Sequence, residues 1–110
     1  MGNVAGAGKA AYPLPMFVNT RLADWRETAP MKPGDYPGGG PLPYMMDIWK
    51  VGAPQLDMLS PDIYNYFDER SALYHQPGNP LFILEMVRST QICSAVFYAL
   101  GQYDALASLP

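Results

Sequence analysis

Cysteine and histidine are scarce in this sequence, which has one of each among 110 residues. One Cys forms no disulfide within the chain, and one Cys with one His provides too few ligands for a Cys/His zinc site. We therefore expect no metal, and a fold held together by packing alone. A single Cys does not indicate whether the protein works in an oxidising or a reducing compartment.

Positive charge and long apolar runs are also lacking. Seven Lys and Arg stand against ten Asp and Glu, for a net charge of −3, without a basic patch interleaved with aromatic residues. This argues against nucleic-acid binding. No apolar run approaches the ~20 residues that span a bilayer, and the first nine residues lack the charged and apolar regions of a signal peptide. We expect neither a nucleic-acid nor a membrane partner.

Proline and glycine, in contrast, are abundant. The chain has twelve Pro and ten Gly, and 49% of its residues are hydrophobic. The hydrophobic content is ordinary for a globular protein, whereas average usage of Pro plus Gly is only about 12%. The length and composition predict at most one domain, rich in loops.

Four short apolar runs, each closed by polar residues, recur along the chain. Near-continuous apolar runs without period-two alternation are typical of parallel strands that are buried on both faces. Parallel neighbours need crossover segments, which are usually helical. The predicted strands are 14–19, 56–64, 81–85 and 105–109.

The segments between these runs can hold helices. The clearest has apolar positions at helical spacing, with Ser89 or Thr90 as its N-cap, Gly101 at its end and Cys93 as a small core residue. Its apolar positions are Ile92, Ala95, Val96, Ala99 and Leu100. Shorter helices are predicted at 42–49, ending near Gly52 and Pro54, and at 68–76, with a helix tail at 5–11.

The order of these elements is that of an α/β protein. Asp62 to Glu85 and Glu85 to Ser108 each span 23 residues. This spacing suits a (β/α)8 barrel, of which a chain this long holds about half. We interpret residues 1–110 as a fragment of such a barrel, which begins inside a helix and stops on a strand.

A long Pro- and Gly-rich segment, 20–43, is predicted to be a loop over the active-site face, since it leaves the carboxyl end of a strand. Its Trp25 and Tyr36 either stack on a sugar ring or anchor the loop to the domain. Gly38–Gly40 lacks the Lys and Ser/Thr of a phosphate loop and follows no strand. We expect no cofactor.

Active sites of such barrels lie at the carboxyl ends of the strands, so the polar residues that close the runs are the candidates. Glu85 either presents a catalytic carboxylate or caps the next helix. Asp62 either caps a turn or binds a ligand, and Tyr64 either bonds a substrate or packs. His75 is expected to be merely exposed. The strand-end candidates are Asn19, Asp62, Tyr64, Glu85 and Ser108.

A resemblance covers nearly the whole chain. The sequence resembles the second half of bacterial beta-galactosidase-like glycoside hydrolases of the family 35 and family 42 type, members of the clan of retaining (β/α)8 barrels. The segments that carry the resemblance are PLPMFVN at 13–19, PGDYPGGGP at 33–41, MDIWK at 46–50, LSPDIY at 59–64 and PGNPLFILE at 77–85.

The resemblance implies that the four runs are barrel strands five to eight, and that Glu85 is the nucleophile. Relatives carry Pro before that position, where this chain has Leu84. The acid/base Glu belongs to an Asn-Glu pair on strand four, and this chain has no such pair. The implied function is a fragment of a retaining hydrolase of terminal beta-galactosides, inactive alone. Asn19, Asp62, Tyr64 and Trp25 would bind the carbohydrate substrate. Such relatives are often exported to the periplasm or the cell exterior.

Two alternatives stay open. The first is a non-catalytic α/β carbohydrate-binding or structural module, in which Glu85 only caps a helix. The second is a flavodoxin-like open sheet that acts as a regulator or cofactor binder, which requires a phosphate-binding loop that we do not find.

Overall fold

The computed structural model describes residues 1–23, 31–32 and 34–108. Helices and strands alternate along the chain. The elements in order are α1 (Gly2–Ala11), β1 (Phe17–Arg21), a 3-10 turn (Pro43–Met45), α2 (Met46–Gly52), β2 (Met58–Ile63), α3 (Phe67–Tyr74), β3 (Phe82–Ile83), β4 (Glu85–Met86), α4 (Ile92–Tyr103) and β5 (Ala107–Ser108).

The strands form a small open parallel sheet, so the α/β class is confirmed. Three strands pair in the order β1-β2-β4, and β3 pairs with β5, again in parallel. Since β3 and β4 belong to one stretch of chain, the four predicted runs lie side by side in sequence order. Arg21, Asp62 and Glu85 occupy one row across the sheet, because Asp62 is in register with both neighbours.

The third run is interrupted at Leu84, which corrects the prediction of one continuous strand. Leu81 and Ile83 are buried, and the next buried side chain is Met86, so the alternation between the two faces shifts by one residue. The Leu84 amide still donates to the carbonyl of Pro61 at 3.3 Å. An extra residue of this kind moves the side chains that follow it to the opposite face of the strand, as a β-bulge does. Glu85 consequently shares the face of Asp62.

The hydrophobic core lies between one face of the sheet and the helices. Every residue of β2 is buried, in agreement with the prediction of a strand covered on both sides. Leu59 and Ile63 belong to one core cluster with a buried side chain from each of three helices, namely Met46 of α2, Tyr74 of α3 and Ala99 of α4. This packing fixes the helices on one face of the sheet.

A buried Asn79 fastens the turn before β3 to the rest of the fold. Its side-chain oxygen accepts from the Leu59 amide at 2.8 Å, and its Nδ2 donates to the carbonyls of Leu59 at 3.1 Å and Tyr74 at 2.8 Å. Gly78 supplies the left-handed conformation that this turn requires, with φ +76°. One side chain thereby joins β2, the end of α3 and the turn.

Helix α4 differs from its prediction at both ends. Gln91, not Ser89 or Thr90, is the N-cap, and no side chain caps the helix, although Ser89 Oγ accepts from the Gln91 amide at 3.3 Å. The helix runs past Gly101 because Tyr103 still packs against the core and bonds Asp68 of α3. It ends at Tyr103, and its C-cap Asp104 has a left-handed backbone with φ 47°.

Two residues of α4 were predicted to be buried and are exposed. Cys93 is exposed, and Leu100 keeps 42% of its surface accessible. The reason is helical geometry, since residues three and four apart share a face. Cys93 therefore points the same way as Phe97 and Leu100, away from the side on which Ile92, Ala95, Val96 and Ala99 pack.

Other boundaries shift by a few residues. Strand β1 begins after Pro15 and extends to Arg21 rather than ending at Asn19, because Pro lacks an amide for the ladder and Thr20 and Arg21 pair with β2. Helix α1 begins at Gly2, and α3 ends at Tyr74. Within the described ranges, none of the helices combines the length and apolarity needed to cross a membrane.

Candidate functional site

Four of the polar residues singled out in the sequence lie together at the carboxyl ends of the parallel strands. Asn19 is on β1, Asp62 on β2, Tyr64 directly after β2, and Glu85 at the start of β4. In a parallel sheet the carboxyl ends of all strands meet at one edge, where ligands bind in α/β proteins. Segments more than twenty residues apart in sequence thus supply one cluster.

Asn19 and Asp62 form the first pair of the cluster. Asn19 Nδ2 donates to both carboxylate oxygens of Asp62, at 3.0 and 3.1 Å. Asp62 is only 5% exposed. Its burial raises the pKa of its carboxyl above the usual value, the Asn19 hydrogen bond opposes that shift, and the charge of Glu85 adds to it. Asp62 belongs to a strand, so it caps no turn or helix.

Tyr64 and Glu85 form the second pair. The Tyr64 hydroxyl donates to Glu85 Oε1. This hydrogen bond, with burial and the charge of Glu85 as lesser causes, raises the pKa of Tyr64 to about 12. The hydroxyl therefore keeps its proton at neutral pH and donates a hydrogen bond to an exposed carboxylate. Because α4 begins only at Ile92, Glu85 is not the cap of that helix.

Two residues near the cluster, Arg21 and Ser60, were not identified as candidate site residues from the sequence. Arg21 is in register with Asp62, and its charge opposes the rise in the pKa of Tyr64. Ser60 precedes Asp62 by two positions on the same face, is fully buried, and its Oγ has no hydrogen-bond partner among the described residues. Arg21 escaped notice because the first strand was predicted to stop at Asn19.

The other residues considered in the sequence analysis are not part of this cluster. Tyr36 packs against the hydrophobic core, so it anchors its loop. Trp25 lies outside the described residues. Ser108 pairs with Ile83 at the end of β5. His75 is exposed, as expected, and its ring contacts Tyr103 edge to face at a centroid distance of 5.6 Å.

A second polar cluster connects α3 and α4 on the helical side of the sheet. The hydroxyls of Tyr98, at 2.9 Å, and Tyr103 both donate to Oδ1 of Asp68. These bonds, that of Tyr103 foremost, hold the pKa of Asp68 below its usual value. This cluster joins two helices and takes no part in the strand-end site.

The strand-end site combines an exposed carboxylate, Glu85, that accepts a hydrogen bond from a phenol with a buried carboxylate, Asp62, that accepts hydrogen bonds from an amide. Chemically, a carboxylate of the first kind can attack carbon or accept a hydrogen bond, and one of the second kind can accept hydrogen bonds from hydroxyls. Among the described residues, no group of three His, Cys, Asp or Glu is arranged to hold a metal ion. Comparison of the chain with protein-family models and with curated proteins gives no match.

Proposed function

We propose that this chain provides the nucleophile side of a retaining glycoside hydrolase of the beta-galactosidase-like type, which cleaves terminal beta-galactosides. The observation that carries the proposal is the hydrogen bond from Tyr64 to Glu85 at the carboxyl ends of adjacent parallel strands. A carboxylate that attacks carbon must be aimed, and a phenol that donates to one of its oxygens holds it in a fixed orientation.

The reaction then proceeds in two steps. An oxygen of Glu85 forms a bond to the anomeric carbon while the glycosidic carbon–oxygen bond breaks, and the leaving oxygen takes that electron pair and a proton from an acid. Water then attacks the anomeric carbon, the bond to Glu85 breaks with its electron pair returning to the carboxylate, and the conjugate base of the acid takes a proton from the water. Asn19 and Asp62 bind sugar hydroxyls beside the reacting carbon.

The acid is not among the residues assigned here, because the sequence has no Asn-Glu pair. General acid catalysis contributes a factor of ~10²–10⁴. We therefore expect the 110-residue chain alone to leave ordinary galactosides uncleaved. In this proposal the acid reaches the site from a further part of the barrel.

The barrel itself is part of the proposal. Parallel segments in sequence order, helices packed on one face and polar residues at the carboxyl edge are what half of a (β/α)8 barrel presents. The observations that support this are the order of the pairings and the shared core of α2, α3 and α4. On this basis the four runs correspond approximately to strands five to eight.

A substrate that needs no acid tests the proposal. In 2,4-dinitrophenyl 2-deoxy-2-fluoro-beta-galactoside, the dinitrophenyl group leaves as a stable phenolate and needs no acid. Attack by Glu85 alone therefore yields a covalent adduct. We expect mass spectrometry to find one fluorosugar on the peptide that contains Glu85. The matched variants are Glu85→Gln, which must prevent labelling, and Glu69→Gln on α3, which must not.

Absence of the adduct, or an adduct at another residue, would contradict the proposal. Galactoside binding that persists in Glu85→Ala, together with no labelling of the unaltered chain, would instead identify a non-catalytic carbohydrate-binding module.

A further inference from the structure

A groove along the first half of α4 contains none of the residues of the strand-end site. It has a volume of about 470 Å³, is open to solvent, and is lined by Gln91, Ser94, Ala95 and Tyr98. None of these four side chains is charged at neutral pH. The groove therefore offers space for a small organic group, with one aromatic ring, one methyl group and two polar side chains around it.

The ring of Tyr98 is held in place by its neighbours and stays accessible. Its hydroxyl donates to Oδ1 of Asp68 on α3 at 2.9 Å. Its ring centre lies 6.0 Å from that of Tyr103, and the two ring planes meet at 82°. Tyr103 donates to the same carboxylate oxygen, and its hydroxyl also lies 3.2 Å from the carbonyl oxygen of Asp68. These contacts fix the orientation of the Tyr98 side chain, of which 45% remains exposed.

Negative charge lies directly behind this ring. The hydrogen bonds from Tyr103 and Tyr98 hold the pKa of Asp68 below its usual value, so its carboxyl is ionised at neutral pH. Within the described ranges of the chain, Asp68 forms no ion pair. The face of an aromatic ring attracts cations, and a phenol that donates to a carboxylate gains electron density in its ring. Tyr98 and Asp68 together therefore favour a positively charged ligand in the groove.

We propose that this groove binds a small molecule that carries a trimethylammonium group, with the cation against the face of the Tyr98 ring. A primary ammonium has three N–H donors that need acceptors, and Oδ1 of Asp68 already accepts from two phenols. A quaternary ammonium has no N–H, so its methyl groups contact the ring and Ala95 without losing hydrogen bonds. Aromatic rings are the usual recognition elements for such cations. A hydroxyl on the ligand bonds the side chain of Gln91 or Ser94.

Choline and its neutral isostere test the proposal on the unaltered chain. In 3,3-dimethyl-1-butanol a carbon atom replaces the ammonium nitrogen of choline, so shape is kept and charge is lost. We expect choline to move the amide resonances of Gln91, Ser94, Ala95 and Tyr98 in NMR spectra of the 110-residue chain. The alcohol should bind at least ~3-fold more weakly, because it lacks the attraction between a cation and an exposed aromatic ring.

Variants separate the contribution of the ring from that of the carboxylate. Tyr98→Leu and Asp68→Asn should each weaken choline binding ~3-fold or more, whereas Tyr98→Phe keeps the ring and should bind choline more tightly than Tyr98→Leu does. The matched controls are Asp47→Asn, which is also in the first turn of a helix, and Tyr12→Leu, at an exposed position after α1. Both controls should bind choline as the unaltered chain does. The comparison of choline with its isostere needs no variant, so the test remains valid if a variant fails to fold.

Three results would overturn the proposal. They are no choline binding at millimolar concentrations, equal affinity for choline and the neutral alcohol, and resonance shifts confined to another surface of the chain. The inference goes beyond the proposed hydrolase and does not depend on it, since the groove shares no residue with the strand-end site. Labelling of Glu85 and binding of choline are therefore independent results, and each proposal can fail without the other.

Discussion

Asn19 on β1 holds Asp62 on β2 by donating one amide nitrogen to both carboxylate oxygens, at 3.0 and 3.1 Å. The two residues are not directly opposite, since Asn19 is in register with Ser60, two positions before Asp62. Both side chains therefore lie diagonally on one face of the sheet, within reach of each other. This contact joins the first and second strands at the edge where Tyr64 and Glu85 also lie.

Removal of the Asn19 amide should raise the pKa of Asp62 further. Burial already raises this pKa, and the Asn19 hydrogen bond is the influence that lowers it. In Asn19→Ala the charged carboxylate loses its donor, so we expect the carboxyl carbon of Asp62 to titrate at higher pH in NMR spectra. The control is Asn3→Ala, at an exposed position of α1, which should leave the titration unchanged. An unchanged or lowered pKa in Asn19→Ala would show that the hydrogen bond is not formed in solution.

Replacement of Asp62 by Asn should stabilise the fold at neutral pH. A carboxyl whose pKa is higher in the folded than in the unfolded state favours folding below the unfolded pKa and loses that contribution as pH rises through the folded pKa. The pKa of Asp62 is raised, so its ionisation at pH 7 opposes folding, whereas Asn stays neutral.

The measurement is urea unfolding of both proteins between pH 3 and 7. We expect Asp62→Asn to have the higher free energy of unfolding at pH 7, with the difference shrinking as pH approaches the ~3.9 of an ordinary Asp. A stability difference that stays constant between pH 7 and pH 4 would mean that ionisation of Asp62 does not oppose folding.

Neutralising Glu85 should lower the pKa of Tyr64. The hydrogen bond to Glu85 is the largest cause of the rise to about 12. Glu85→Gln removes the negative charge of the carboxylate, so we expect the hydroxyl of Tyr64 to titrate closer to the pKa of ~10 of a free tyrosine. Tyr103 is the internal control, because its pKa is also raised to about 12, but by Asp68. Equal changes at both tyrosines would indicate a general loosening instead of a lost contact.

Truncation of Asn79 should destabilise the fold strongly. Asn79→Ala leaves the amide and carbonyl of Leu59 without their buried partner and removes a donor to the Tyr74 carbonyl. Each buried polar group that loses its partner costs ~1–3 kcal/mol, so we expect a loss of about 3 kcal/mol in urea unfolding. Asn3→Ala, on the surface, should stay within ~0.5 kcal/mol of the unaltered chain. A similarly small effect at Asn79 would contradict the described network.

Much of the fold could be predicted from the sequence because it depends on local patterns. The apolar runs identified the strands, and helical spacing identified the core side of α4 through Ile92, Ala95 and Ala99. The boundaries could not be predicted in the same way. Gly101 signalled a helix end, yet packing of Tyr103 against α3 extends α4 by two residues. Similarly, pairing with β2 extends β1 to Arg21.

The amino-acid sequence by itself determined the α/β order, the absence of covalent cross-links within the chain, and the choice of Asn19, Asp62, Tyr64 and Glu85 as candidates. Only the tertiary structure decided that these four lie together, since their proximity depends on strand register. It also decided the side of the sheet on which Glu85 lies. Strict alternation would have placed Glu85 with buried Leu81 and Ile83, and the interruption at Leu84 moves it to the face of Asp62. A shift of one residue changes the face of every side chain that follows, and no local preference of the sequence specifies it.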